Sequence, residues 1–234
     1  MMKKKLTLTT TLFAAASICC SLALASAGGS GISADEALQK LMDGNKRYVE
    51  SKMNACTETT ATAREKLAMS QKPYAIILSC SDSRVPPEII FDKSLGEIFV
   101  VRVAGNVPDP VVIGSVEYAA EHLGSPLVMV LGHERCGAVT ATVDAKGKAE
   151  GNIGAIVKAI APALKKVQKD KHCDSKDKAK FVECVVDENA KLVAANLTKQ
   201  SAILAHLAKE GKLKIVAAKY DLDDGKVTLF DKKK

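Results

Sequence analysis

Four short, nearly continuous apolar runs constrain the fold of this chain most strongly. They lie at residues 74–78, 98–101, 127–131 and 213–218, and longer amphipathic stretches separate them. Apolar runs of this length without strict alternation are typical of strands that are buried on both faces, as in a parallel sheet. A fifth run at 227–230 follows the Asp224-Gly225 turn signal and predicts an antiparallel edge strand.

The stretches between and before the runs have helical periodicity. Ser33 and Glu36 form a capping-box pattern that opens a predicted helix at 34–50. The other predicted helices lie at 111–123, 153–169, 180–197 and 199–209. Strands that alternate with helices predict an α/β fold, with a mostly parallel central sheet of four strands plus the antiparallel edge strand, flanked by helices.

The first residues have the pattern of an export signal. A cluster of three lysines, Lys3 to Lys5, precedes an apolar run at 6–24, and Ala25-Ser26-Ala27 supplies small residues for cleavage. We therefore expect residues 1–27 to be a cleaved signal peptide and residues 28–234 to form a single catalytic domain, in an exported protein that is periplasmic or secreted. A retained N-terminal anchor is the alternative; after cleavage we expect no membrane association.

The charge of the chain excludes one class of partner. The formal net charge is +7, but lysines at the two termini contribute much of the excess. The sequence has no concentrated basic stripe and only 4% aromatic residues to stack on bases. We therefore expect no nucleic-acid partner.

Cysteine usage leaves at least one thiol for a role other than a disulfide. Five cysteines follow the predicted cleavage site, at positions 56, 80, 136, 173 and 184. An odd number rules out complete pairing within the chain. We slightly prefer a disulfide between Cys173 and Cys184, which would close a loop in an oxidising compartment. Two unpaired thiols or a pair that involves Cys56 are the alternatives. The absence of a C-x-x-C pattern argues against a redox protein.

Three candidate metal ligands follow two of the predicted strands. Cys80 comes directly after the first run, and His133 and Cys136 come directly after the third. In a parallel sheet the carboxyl ends of the strands lie at one edge, where ligands gather. Two thiolates and one imidazole suit zinc, and three protein ligands leave a fourth position for water. A zincin motif is excluded because position 137 is glycine.

Asp82 and Arg84 bear on whether such a zinc is catalytic or structural. A carboxylate two residues after a ligand can itself bind the ion and give a closed site of four protein ligands. It can instead pair with the guanidinium, which presents a bidentate fork to a carboxylate. In that arrangement Asp82 stays ionised and accepts a hydrogen bond from the zinc-bound water. We prefer the second interpretation because both residues lie beside a candidate ligand.

In these and other short motifs, the chain closely resembles the beta-class carbonic anhydrases. The resemblance rests on Cys-Ser-Asp-Ser-Arg-Val (80–85), Gly-Glu-Ile-Phe-Val-Val-Arg (96–102), Ala-Gly-Asn-Val (104–107), Glu-Tyr-Ala (117–119) and Gly-His-Glu-Arg-Cys-Gly-Ala (132–138). It implies one zinc ion per chain on Cys80, His133 and Cys136, with an Asp82–Arg84 dyad. The implied reaction is the reversible hydration of carbon dioxide to bicarbonate and a proton by a zinc-bound hydroxide.

The resemblance also implies a substrate pocket and an assembly. Plant-like members of the family match this chain at Gln71, Phe99 and Tyr118. The resemblance implies that the amide of Gln71 and the backbone amide of Gly137 hydrogen-bond the substrate, and that the two aromatic side chains line an apolar pocket. The Trp and Arg pair that marks a bicarbonate-regulated branch has no match, so an open zinc site is expected. Relatives pair their sheets and wrap an N-terminal helix over a neighbour, which implies a homodimer or a multiple of dimers with the helix at 34–50 as an arm. The helix can equally pack on its own domain.

One segment departs from the family pattern, and two other functions share the motif. Residues 102–106 read Arg-Val-Ala-Gly-Asn where many relatives read Arg-Asn-Val-Ala-Asn, which implies an altered pocket wall near Phe99.

The first rival function is a zinc-stabilised domain with Asp82 as fourth ligand and no turnover. The second is a hydrolase for a molecule similar to carbon dioxide, such as carbonyl sulfide or carbon disulfide.

Overall fold

The structure is a computed structural model that describes residues 29–54, 59–146, 149–169 and 173–230. The predicted signal peptide and Cys56 lie outside the described residues. Within these ranges no helix is long and apolar enough to cross a membrane.

A five-stranded sheet forms the centre of the fold. Its strands are β1 (Ala75–Ser79), β2 (Ile98–Arg102), β3 (Leu127–His133), β4 (Lys214–Tyr220) and β5 (Val227–Leu229). They lie in the order β2-β1-β3-β4-β5, and only the β4–β5 pair is antiparallel. The prediction of four mostly parallel strands with an antiparallel edge strand is confirmed.

The described residues contain eight α-helices, most of which pack around this sheet. They are α1 (Ala34–Val49), α2 (Ala61–Leu67), α3 (Pro87–Ile90), α4 (Pro110–Glu117), α5 (Gly137–Asp144), α6 (Ile153–Val167), α7 (Lys178–Gln200) and α8 (Ala202–Lys209). Four of the predicted helices correspond closely to α1, α6, α7 and α8. The predicted helix at 111–123 is instead α4 followed by a π-helical segment, Tyr118–His122. The sequence analysis did not predict the short helices α2, α3 and α5.

The sheet is buried on both faces. On one face Ala37 and Leu41 of α1 pack with Ile77, Met129 and Leu131 of the sheet. The hydroxyl of Ser33 caps this helix by accepting a hydrogen bond from the Glu36 amide at 3.1 Å. Helix α1 therefore packs on its own domain, which is one of the two arrangements that the sequence left open.

The other face is covered mainly by α4, α7 and α8. Ile76, Leu78 and Val130 point from the sheet into a cluster that includes Val116, Ala190 and Leu204 of these helices. Because both faces are covered, the central strands β1 and β3 are fully buried, whereas the edge strand β2 is only half-buried. Strand β2 thus leaves one edge of the sheet open within the single chain.

A disulfide ties the beginning of α7 to the segment before it. Cys173 and Cys184 form this bond, with their Cα atoms 6.3 Å apart, within the usual range for disulfides. The structure therefore contains the pairing that the sequence analysis slightly preferred. Cys80 and Cys136 are free and buried.

Candidate metal centre

The three predicted ligands meet at the carboxyl ends of two neighbouring strands. Strands β1 and β3 pair in parallel with Ser79 opposite Leu131, so Cys80 and His133 emerge at the same edge of the sheet. Cys136 follows at the start of α5. The two thiol sulfurs and a ring nitrogen of His133 lie within 4.8 Å of one another, and all three residues are buried. Strand register brings Cys80 and His133 together, and the turn after His133 adds Cys136 to the cluster.

The imidazole of His133 is oriented for a metal ligand. Its Nδ1 lies 2.8 Å from the carbonyl oxygen of Glu134. Because a carbonyl can only accept, Nδ1 carries the hydrogen, and in the neutral imidazole this leaves the lone pair on Nε2 for a metal. Nε2 is buried and has no hydrogen-bond partner among the described residues. A buried polar atom without a partner is costly, and a metal ion at the cluster would satisfy it.

The two thiols also fit a soft divalent cation. The Cys136 thiol donates a hydrogen bond that lowers the pKa of Cys80, further lowered by the Gly105 amide, whose nitrogen lies 3.3 Å from the Cys80 sulfur. The same thiol–thiol hydrogen bond, together with burial, raises the pKa of Cys136. Two sulfurs and one imidazole nitrogen are a ligand set that zinc prefers.

Asp82 lies beside the cluster and is held by Arg84. The guanidinium donates from Nε to Oδ1 at 2.9 Å and from Nη2 to Oδ2 at 2.7 Å, a bidentate pair. The Arg84 amide donates to the same Oδ1 at 3.0 Å. These hydrogen bonds hold the pKa of Asp82 well below its usual range. Its Oδ2 is 3.9 Å from Nε2 of His133, so the carboxylate faces the cluster.

Arg102 and Gly105 add contacts that the sequence analysis did not assign. The Arg102 side chain donates to the carbonyl oxygens of Cys80 at 3.0 Å and Asp82 at 2.6 Å. Gly105 has a φ of +71°, and a Cβ there would lie 2.7 Å from Ile160. The only hint in the sequence was that residues 102–106 depart from the family pattern. That departure does not indicate that the Gly105 amide contacts the sulfur of Cys80.

Helix α7 supplies two further contacts behind the cluster. The Glu183 carboxylate accepts from the Arg135 amide at 2.8 Å, and buried Asn189 donates to the Gly105 carbonyl at 2.9 Å. Neither residue carries a motif, and both lie about fifty residues or more after the third ligand in the chain. Sequence reasoning therefore had no signal for them.

Only one of the four predicted substrate residues lies at the cluster in this chain. Gly137 directly follows Cys136 as the first residue of α5, and a Cβ added there would meet nothing within 4 Å. Its exposed backbone therefore faces open space next to a candidate ligand. Gln71 is also exposed, but it precedes β1, whereas Cys80 follows that strand. The strand alone separates them by roughly 16 Å.

Phe99 and Tyr118 lie together along the open edge of the sheet. Their ring centroids are 6.3 Å apart, and Tyr118 is 48% exposed. Phe99 pairs with Ile76 in β1, four residues before Cys80. That offset is roughly 13 Å along the strand. The chain therefore does not bring Gln71, Phe99 and Tyr118 to its own metal cluster, and their predicted role requires a neighbouring copy.

Comparison with known sequences decides the family. The family model described as carbonic anhydrase matches residues 75–227. The chain belongs to the beta-class carbonic anhydrases. Carbonic anhydrase 2 of Mycobacterium tuberculosis is 39% identical over 198 residues, covering 83% of this chain and 92% of that protein. The carbonic anhydrase of Mycolicibacterium smegmatis is 36% identical, covering 82% and 91% of the two chains.

Solved structures of beta-carbonic anhydrases share the fold. The enzyme CafA of Aspergillus fumigatus superposes with a TM-score of 0.67 at 24% identity, covering 84% of this chain and 90% of that chain. One of two tetrameric beta-carbonic anhydrases from Sordaria macrospora gives a TM-score of 0.61 at 23% identity, covering 83% and 97% of the two chains. The chain is thus an enzyme of the carbonic anhydrase family.

Proposed function

We propose that this enzyme catalyses the reversible hydration of carbon dioxide to bicarbonate and a proton, with one zinc ion per chain bound by Cys80, His133 and Cys136. The observation that carries the proposal is the buried cluster itself. The Nε2 atom of His133 has no hydrogen-bond partner among the described residues, and the two sulfurs lie within 4.8 Å of each other and of a ring nitrogen of that residue. When bound, zinc lowers the pKa of a water in its fourth position and so supplies a nucleophile near neutral pH.

Asp82 is the hydrogen-bond acceptor of this site. Its low pKa keeps the carboxylate ionised at neutral pH, so it can accept a hydrogen bond from the attacking water and orient a lone pair toward the substrate. Arg84 fixes the direction of the carboxylate through two parallel hydrogen bonds. The exposed amide of Gly137 is available as a donor to a substrate oxygen beside Cys136.

The Arg84 pair also favours a zinc site that is open to water. Both carboxylate oxygens of Asp82 already accept hydrogen bonds from Arg84. Binding of Asp82 to the metal would break this bidentate pair. The same contacts argue against the rival interpretation of a closed, structural zinc site.

The substrate pocket is completed by a second copy of the chain. Gln71, Phe99 and Tyr118 lie away from the cluster of their own chain. Phe99 belongs to the half-buried edge strand β2, and Tyr118 lies next to it. Pairing at this edge would bring their side chains toward the site of a neighbour. We therefore propose a homodimer or a multiple of dimers.

We also propose that the enzyme is exported to an oxidising compartment. The support is the signal-peptide pattern at residues 1–27 together with the Cys173–Cys184 disulfide. Disulfides persist outside the reducing cytosol. Fractionation of cells that express the full chain would locate the enzyme, and retention in the cytosol would contradict this part of the proposal.

Stopped-flow hydration with a pH indicator tests the reaction, alongside the zinc content per chain. We expect rapid proton release that disappears when a chelator removes zinc and returns when zinc is restored. Full zinc occupancy without hydration from mildly acidic to alkaline pH would overturn the proposal.

A further inference from the structure

The turn that joins His133 to Cys136 has an unusual backbone. Arg135 has a φ of +49°, in the left-handed region that residues with a side chain rarely occupy. Such conformations persist when surrounding contacts hold them. Since this turn sets the distance between two of the proposed ligands, the contacts that hold it also hold the metal centre.

Two acidic residues accept hydrogen bonds from Arg135, one from its side chain and one from its backbone amide. Asp223 accepts two hydrogen bonds at 2.9 Å from the guanidinium, but its side chain is 73% exposed. Glu183 of α7 accepts from the backbone amide at 2.8 Å, and its side chain is only 26% exposed. Water competes strongly with the first contact and weakly with the second. Glu183 is therefore the stronger constraint on the backbone of the turn.

Glu183 is itself held in place. Its second carboxylate oxygen lies 3.1 Å from Nζ of Lys219 in β4, which also pairs with Asp187 at 2.9 Å. Lys219 is opposite Gly132, the residue before His133. A Cβ at Gly132 would lie 3.2 Å from Cβ of Ala190, so the missing side chain lets α7 pack closely on the end of β3.

We propose that Glu183 is a positioning residue for the metal centre. By accepting the amide hydrogen of Arg135, it keeps the turn in the conformation that aims Nε2 of His133 and the sulfur of Cys136 at one ion. The inference rests on the proposed zinc site. Glu183 touches neither the metal nor the substrate and acts only through the backbone of the turn.

Glu183→Met and Glu183→Gln form a matched pair that isolates this contact. Both remove the charge and the ion pair with Lys219 at similar side-chain length, but only glutamine keeps an oxygen that can accept from Arg135. The readouts are the rate of zinc release to a chromophoric chelator and the visible spectrum of the cobalt-substituted protein, which reports the ligand geometry directly. We expect Glu183→Met to release zinc about tenfold faster, as is typical when an outer contact of a metal ligand is lost.

The Gln variant should keep the wild-type cobalt spectrum and release zinc within about twofold of the wild-type rate. Glu188→Met is the control, since Glu188 lies on the same helix and pairs with Lys166 away from the turn; it should behave as the wild type. Equal rates and spectra for the Met and Gln variants would overturn the role of Glu183. Failure of the wild-type protein to bind zinc would instead overturn the metal centre itself.

Discussion

The two parts of the proposed active site differ in how the chain builds them. The metal cluster is assembled within one chain, because β1 and β3 are neighbours and their carboxyl ends place Cys80 and His133 side by side. The predicted substrate residues are spread over the amino end of β1 and the open edge at β2. In the proposed enzyme, one chain therefore carries all three zinc ligands but only part of the substrate pocket.

This difference separates two requirements of the enzyme. Metal binding needs only the fold of one chain, whereas substrate binding needs a second copy in the proposed assembly. Variants at the cluster should act on zinc content and activity together. Variants at the open edge should act on activity while the zinc content stays unchanged.

The largest effect is expected from loss of a ligand. Cys80→Ser replaces a thiolate with a poor zinc ligand, so zinc content should fall to near zero and hydration by more than about a hundredfold, beyond the effect of losing an outer contact. Elemental analysis and stopped-flow hydration measure the two quantities. Circular dichroism is the control for folding, and a folded variant with stoichiometric zinc would contradict the assignment.

The dyad should affect turnover without affecting the metal. Asp82→Asn keeps the shape of the side chain but removes the ionised acceptor, so kcat should fall by about a hundredfold, the usual scale for losing one positioned hydrogen bond at a reacting group. Arg84→Ala should act in the same direction. Arg64→Ala, on the exposed helix α2, is the control. Loss of zinc together with activity would indicate that Asp82 is a metal ligand.

A mixing experiment tests the shared pocket. Gln71→Ala should lower kcat/KM by about tenfold, the scale of one lost hydrogen bond, with normal zinc content. In a mixed dimer with a Cys80→Ser chain, the Gln71→Ala chain would keep its zinc ligands and receive Gln71 from its partner. Each mixed dimer would therefore contain one intact site. Statistical mixing of the two variants should then restore about a quarter of the wild-type activity.

If Gln71 served its own chain, the mixed dimers would contain no intact site and mixing would restore nothing. Lys72→Ala, at the neighbouring exposed position, is the control variant and should keep wild-type activity when assayed alone.

The smallest effect on the site is expected from the disulfide. Replacing Cys173 and Cys184 by serine should lower the free energy of unfolding by about 2–3 kcal/mol, because the unfolded chain gains freedom. The zinc content and kcat should stay unchanged, since neither sulfur lies in the cluster. Denaturant unfolding measures the stability, and an unchanged unfolding midpoint would contradict a stabilising role for the bond.

Much of the fold and the ligand set could be predicted from the sequence because the signals are local. The apolar runs indicate β1 and β3, and the residues after them indicate the cluster. The single helix predicted at 111–123 differs from the structure, because its apolar periodicity does not distinguish an α-helix from the π-helical segment that ends it. Glu183 and Asn189 were missed because only the packing of α7 brings them to the site.

A crystal structure with anomalous scattering at the zinc edge tests the central claim most directly. The account predicts one ion per chain at about 2.3 Å from the sulfurs of Cys80 and Cys136 and about 2.0–2.1 Å from Nε2 of His133, with a fourth ligand that is not a protein atom. It also predicts that Gln71 near each ion comes from the neighbouring chain. A zinc ion bound by Asp82 in place of water, or no ion at the three ligands, would contradict the account.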